Sequence, residues 1–291
     1  MTFTWTDPAE ILTTSIPDGV LLFDRTDVEI LKSEMDNTTD YTLLYEEPDC
    51  KMWYKSRGEG SGTSQATNSS DRGSDNPDSD SDRTMRNSEA AANSSFIRYK
   101  YYCDFEGCSL QEFYDAMRDY SKRFEWDTRD AGRRIIQIFH TPNHDDILEY
   151  QVVEHMVKKG TFVVSDRDFV TLNAEIWEDD HTMYCVGKSI EYEGAPQSAR
   201  GVVRSIILYL GTRIQLLTDG GESGKSTVRV WFVTQTDPKG WIPSSVVNWA
   251  QRFLPKEYKQ NVERAIAQRR QKSDSELKYT NYYQVANKKQ V

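Results

Sequence analysis

The sequence is poor in cysteine and histidine, with four of each in 291 residues. Cys50, Cys103, Cys108 and Cys185 form no CxxC pair. A disulfide framework would be denser and a zinc site would need closer ligand pairs, so no metal is expected. The thiols read as reduced, as in a cytosolic protein. The Asn-x-Ser/Thr sequons at Asn37, Asn68 and Asn93 then become chance matches. The chain also lacks any run near the ~20 apolar residues needed to cross a bilayer. Its first residues, MTFTWTDPAE, show no basic segment followed by an apolar block, so no secretory signal is expected. Positive charge is short as well. Lys and Arg number 36 against 46 Asp and Glu, a net charge of −10. That excludes a nucleic-acid binder driven by general phosphate attraction.

What is present divides unevenly. Residues 57–95 hold ten Ser, four Gly, four Asn and five Asp, and almost nothing apolar. Such a stretch cannot bury enough surface to offset its chain entropy, and disorder is expected there. Strand-like text flanks it, so it reads as an insertion. Lengthening a loop costs only about 0.6 kcal/mol per doubling. It is either a spacer or a regulated loop in which Ser beside Asp can be phosphorylated.

The remainder is long enough for one domain with a substantial core. Nine strand segments are expected: 41–46, 52–54, 96–105, 134–139, 147–157, 169–177, 183–192, 202–217 and 228–235. In the third, Ile97, Tyr99, Tyr101, Cys103 and Phe105 share one face. A helical interlude over 109–124 opens on a capping box, Ser109 with Glu112. A long terminal helix begins after Pro243. Val246, Val247, Trp249, Ala250, Phe253, Leu254, Tyr258, Val262, Ala265 and Ile266 recur along it at helical spacing. Pro255 should kink or split it. The pattern predicts an α+β domain, an antiparallel sheet wrapped around that helix. Several strands, 202–217 among them, are apolar on both faces. Either both faces are simply buried, or the inward side chains face a ligand in a hollow core.

Two familiar motifs fail. Asp219–Thr227, DGGESGKST, resembles a phosphate-binding loop, but Asp219 stands where the first Gly belongs and a strand follows. It reads as a hairpin loop. His140 and His144 lie four apart, but Pro142 and Asn143 between them mark a turn. No nucleophile, base or carboxylate pair stands out, so an enzyme is not expected.

Four strings carry a resemblance: Lys122–Asp127 (KRFEWD), Ser165–Val170 (SDRDFV), Gly201–Arg204 (GVVR) and Thr236–Pro243 (TDPKGWIP). In this order and near these spacings, the chain resembles the START family, the steroidogenic-acute-regulatory-protein-related lipid-transfer domains. The closing stretch is similar to the phosphatidylcholine-transfer-protein branch. The resemblance implies a helix-grip fold: a curved nine-stranded antiparallel sheet gripping a long C-terminal helix, with an internal lipid tunnel. It implies a START domain over 41–270 interrupted by the insertion, an N-terminal helical segment over 1–40 and a polar tail over 271–291.

It also implies a bound phospholipid as the ligand, with no further cofactor. Arg123 aligns with the branch's phosphate-pairing position, where a guanidinium can meet phosphate oxygens bidentately. An ordinary exposed helix residue is the alternative for Arg123. The branch's aromatic choline cage falls on Phe169, near Gln151, and on Leu208 beside Tyr209, so the cage is incomplete. That admits phosphatidylethanolamine or another lipid. Phe169 and Tyr209 serve equally well as core residues. Val246 would line the lid of the tunnel. Asp127, Arg167, Asp168 and Arg204 recur in the family's motifs and are expected to be structural.

From Arg252 to Lys272 there are seven basic and two acidic residues. A basic helix of this kind suits transient contact with an anionic membrane, at ~1 kcal/mol per basic residue. The expectation is a cytoplasmic, monomeric protein that exchanges a phospholipid between membranes with transient peripheral contact. A lipid-sensing adaptor and a sterol or other-lipid carrier are the alternatives.

Overall fold

The computed structural model describes residues 11–55, 96–118, 123–142, 144, 146–160, 164–220 and 225–271. The insertion at 57–95 and the tail from 272 onward lie outside the described residues. One sheet contains β1 (Leu12–Thr13), β2 (Thr42–Glu47), β3 (Cys50–Lys55), β4 (Arg98–Glu106), β5 (Asp130–His140), β6 (Tyr150–Lys158), β7 (Arg167–Trp177), β8 (Thr182–Ser189), β9 (Val203–Arg204), β10 (Ile206–Gly220) and β11 (Lys225–Asp237). Its order is β1-β5-β6-β7-β8-β10-β11-β4-β3-β2, with β9 beside β7. All pairings are antiparallel except β1 with β5 and β9 with β7.

The described residues thus form eleven strands and not nine. The two extra strands are two residues long, too short to carry a periodicity. The expected strand 202–217 divides at Ser205. Its amide donates to Asp168 O (2.9 Å) and its hydroxyl to Pro238 O (2.7 Å), which turns the chain from β7 toward β8. β10 and β11 pair directly through Gly220 and Lys225, so the failed phosphate-loop string spans a hairpin.

The convex face is closed by α1 (Arg25–Asp36). A capping box starts this helix: Asp24 Oδ1 accepts from the Asp27 amide (3.1 Å) and Asp27 Oδ2 from the Asp24 amide (3.0 Å). Val28, Leu31 and Met35 fall on one side and are buried. Gly211 of β10 lets the helix approach, since a Cβ there would lie 2.0 Å from Leu31 Cδ1. The buried Lys100 ammonium donates to the Glu34, Met35 and Asn37 carbonyls at the helix end. Phe139, Val153, Val170, Leu172, Ala174, Val186 and Val233 complete this layer.

The concave face receives α2 (Leu110–Arg118), α3 (Arg123–Trp126), α4 (Ser244–Gln251) and α5 (Leu254–Arg270). The terminal apolar stripe is therefore two helices, broken just before Pro255, which sits in the first turn of α5. Val262, Ala265 and Ile266 of α5 pack with Phe105, Phe113, Met183, Val228 and Val230. The face carrying Tyr99, Tyr101, Cys103 and Phe105 turns to this cluster, as their alternation predicts.

Candidate functional site

Strand register assigns each rung of the concave face. One rung reads Trp177, Met183, Ile214, Val230, Cys103 and Cys50. Here Met183, Val230 and Cys103 have no exposure at all, because α2 and α5 fill the space above them. The next rung reads Glu175, Cys185, Thr212, Phe232 and Tyr101, and the one after it Asn173, Gly187, Leu210, Thr234 and Tyr99. On these two, Asn173, Cys185, Leu210, Thr212, Phe232 and Thr234 are only half-buried. Their convex neighbours Leu172, Ala174 and Val233 are wholly buried. Side-chain cover on this face thus thins from the packed rung to the two that follow it. All four cysteines are free thiols.

α4 is tied to the last of these rungs by the Tyr99 hydroxyl, which donates to Asn248 O at 2.9 Å. Its orientation is inverted for a helix that covers an apolar sheet. Val246, Trp249 and Phe253 (just past its end) face outward, 40%, 60% and 51% exposed, and Trp241 in the preceding loop is 95% exposed. Val247, Asn248 and Gln251 turn toward the sheet.

A charged cluster stands at the β5–β6 edge of the same face. Arg123 opens α3, with its guanidinium 4.8 Å from the Trp126 ring. Its Nε lies 3.5 Å from Asp127 Oδ2 and 3.6 Å from Asp130 Oδ2. Lys158 binds the same carboxylates at 2.6 and 3.2 Å, and Arg133 meets Glu154 at 2.9 Å. Burial works to raise the Asp127 pKa, but Lys158 and Arg123 outweigh it and hold the carboxyl down at about 2. Burial, then the neighbouring Arg123, pull the Lys158 ammonium below its ordinary range.

The structure separates the other sequence-predicted residues. Phe169 faces the concave side, since its neighbour Val170 belongs to the convex layer. Leu208 is the extra residue of a bulge between Ile207 and Tyr209. Gln151 and Tyr209 do not join them. Gln151 is fully buried in the convex layer, where its amide accepts from Phe23 N (2.7 Å) and donates to Phe23 O (2.7 Å) and Leu148 O (3.1 Å). It clamps the segment that leads into α1. Tyr209 packs in the convex cluster beneath Arg98, whose guanidinium lies 4.7 Å from its ring. Val246 sits on the outer stripe of α4, and Val247 takes the inward position.

Asp168 is a structural hub. It accepts from Ser198 Oγ (2.8 Å) and Arg204 Nη2 (2.8 Å), and lies 3.0 Å from His155 Nε2. Ser198 and His155 both bond the carboxylate, so the aspartate stands between them and no serine-to-base relay is formed. Arg167 holds the loop before α4 through the carbonyls of Pro238 (3.3 Å) and Lys239 (3.4 Å). The inward residues of α4 that sequence reasoning did not single out are Asn248 and Gln251. Their signal was available: they are the polar positions opposite the Trp249 stripe.

A single, mostly antiparallel sheet with an N-terminal helix on one face and the C-terminal helices on the other defines a START-type fold. The START domain model matches residues 49–267, and the chain belongs to this family. Among solved structures, human STARD10 aligns with a TM-score of 0.67 at 18% identity, covering 94% of this chain and 91% of that one. Human StAR-related lipid transfer protein 5 aligns with a TM-score of 0.58, also at 18% identity, covering 84% and 94%. The human StarD13 (DLC2) lipid transfer and protein localization domain aligns at 0.51 and 15% identity, covering 84% and 98%. No curated protein matches the chain by sequence.

Proposed function

We propose that the chain binds one phospholipid between the concave rungs and α4 and transfers it between membranes. The observation that carries this reading is the contrast of rungs: side chains packed solid under α2 and α5, and half-buried ones under α4. Each CH₂ kept from water is worth about 0.8 kcal/mol, so a sheltered apolar wall is what an acyl chain requires in transit. Family membership and the likeness to two human lipid-transfer domains point the same way.

Arg123 pairs with the phosphate in this reading. Its guanidinium lies 4.8 Å from the Trp126 ring, in a cluster with the cations Lys158 and Arg133 at the edge of this face. Phe169 and Leu208 line the wall, and Val247 takes the lining role expected of Val246. Gln151 and Tyr209 are committed to the convex layer and have no part in the site.

Among the described residues no helix is long and apolar enough to cross a membrane. Membrane contact is peripheral in this reading, and it shifts from the basic face of α5 to α4. Arg269 and Arg270 are paired with Asp115 and Glu112 of α2. Around α4, by contrast, the exposed Trp241, Val246, Trp249 and Phe253 lie among the exposed cations Lys239, Arg252 and Lys256. That combination suits an anionic interface. The monomeric protein acts from the cytoplasm.

Transfer of a fluorescent phospholipid between donor and acceptor liposomes tests the site. Arg123→Ala is expected to slow transfer at least about tenfold, the worth of one charge-assisted hydrogen bond. Its circular dichroism should be unchanged. Transfer at the wild-type rate removes Arg123 from the site.

A further inference from the structure

α4 carries its apolar residues outside and its amides inside. Gln251 is only 9% exposed, and its Oε1 has no hydrogen-bond partner. Asn248 Oδ1, three residues earlier on the same inward face, is buried and equally unpartnered. Native structures rarely leave such oxygens unsatisfied, because burial strips them of water without return. Both lie on the buried side of α4, which the Tyr99 hydroxyl ties to the rung carrying Asn173, Leu210 and Thr234.

We infer that Asn248 and Gln251 recognise the polar part of the guest lipid, and that this polar part donates hydrogen bonds. The inference rests on the lipid-binding reading above and adds the class of lipid. Two inward carbonyl oxygens need N–H or O–H groups. A primary ammonium supplies N–H donors and a glycerol headgroup supplies O–H donors. The quaternary nitrogen of choline supplies neither, so phosphatidylcholine leaves both oxygens unpaired. The amides therefore discriminate against choline lipids without touching the acyl chains, and hydroxyls on the opposite wall accept or donate as the guest requires.

The test loads the full chain from mixed vesicles holding equal amounts of phosphatidylcholine, phosphatidylethanolamine and phosphatidylglycerol with identical acyl chains. Bound lipid is read by native mass spectrometry. Wild type is expected to take one or both donor-bearing lipids over phosphatidylcholine by roughly tenfold, the effect of two neutral hydrogen bonds. Enrichment of the ethanolamine lipid alone assigns the ammonium, and of the glycerol lipid alone the hydroxyls. Gln251→Leu and Asn248→Leu should bring the ratio close to one. Each should also raise the melting temperature of the lipid-free protein, because an unpaired buried oxygen is removed. Equal uptake of all three lipids by wild type, or a preference that survives both substitutions, overturns the inference and leaves the carrier reading standing. A fall in the lipid-free melting temperature likewise overturns it, since the amides would then be structural. Uptake of no lipid at all defeats the carrier reading itself.

Discussion

The convex and concave faces of this sheet are made by alternate residues of the same strands, yet they are finished differently. On the convex side Leu172, Ala174 and Val233 are wholly buried beneath α1, and a glycine at 211 brings Leu31 almost onto the backbone. On the concave side the residues between them, Asn173, Leu210, Thr212 and Thr234, are half-buried and more polar. Helices sit over both faces. The difference lies in what each helix turns toward the sheet: α1 offers Val28, Leu31 and Met35, whereas α4 offers Val247, Asn248 and Gln251. One face is built to be filled by the protein. The other is filled by α2 and α5 along one part and stays half-buried along the rest.

That contrast can be broken by truncating each face in turn. Leu31→Ala opens a cavity in a packed layer and should cost about 2–5 kcal/mol in urea unfolding. Lipid captured per folded molecule should stay constant. The ion cluster at the concave edge comes next. Asp127 is held at about 2, below its ordinary 3.8, so its contribution is present above about pH 4 and is lost as the pH falls through 2. Over that interval wild type should lose about 2 kcal/mol more than Asp127→Asn. Equal losses would mean that packing, and not charge, secures that edge. The smallest stability effect belongs to Leu210→Ala. Its side chain is only half-buried, so its loss should cost about 1 kcal/mol or less. It should nevertheless speed the escape of bound lipid. A cost as large as that of Leu31→Ala would show the concave face to be packed after all.

Much of this was readable in advance. Alternation in 96–105 placed Tyr99, Tyr101, Cys103 and Phe105 on the helix-facing side, because a period of two leaves no choice once one face is buried. Pro255 signalled the break between α4 and α5, and the Ser109 hydroxyl does accept from the Glu112 amide at 3.1 Å. The site was harder to read. The bulge at Leu208 takes only that residue out of step: Tyr209 alternates with Leu210 and shares the α1 face with Gly211, whereas the face of Leu208 could not be counted. Gln151 looked like a ligand position because its partners, Phe23 and Leu148, become neighbours only through the fold. An apolar stripe on a helix is the same text whether it faces a core or a membrane. That is why Val246 was expected to line the lid, while its 40% exposure puts it on the outer side of α4.

The space beneath α4 is the centre of this account, and native mass spectrometry of the freshly purified protein addresses it directly. The account predicts a single lipid-sized mass bound per chain, released when the protein unfolds and identified as lipid on extraction. A bare polypeptide mass, unchanged after incubation with phospholipid vesicles, would contradict it.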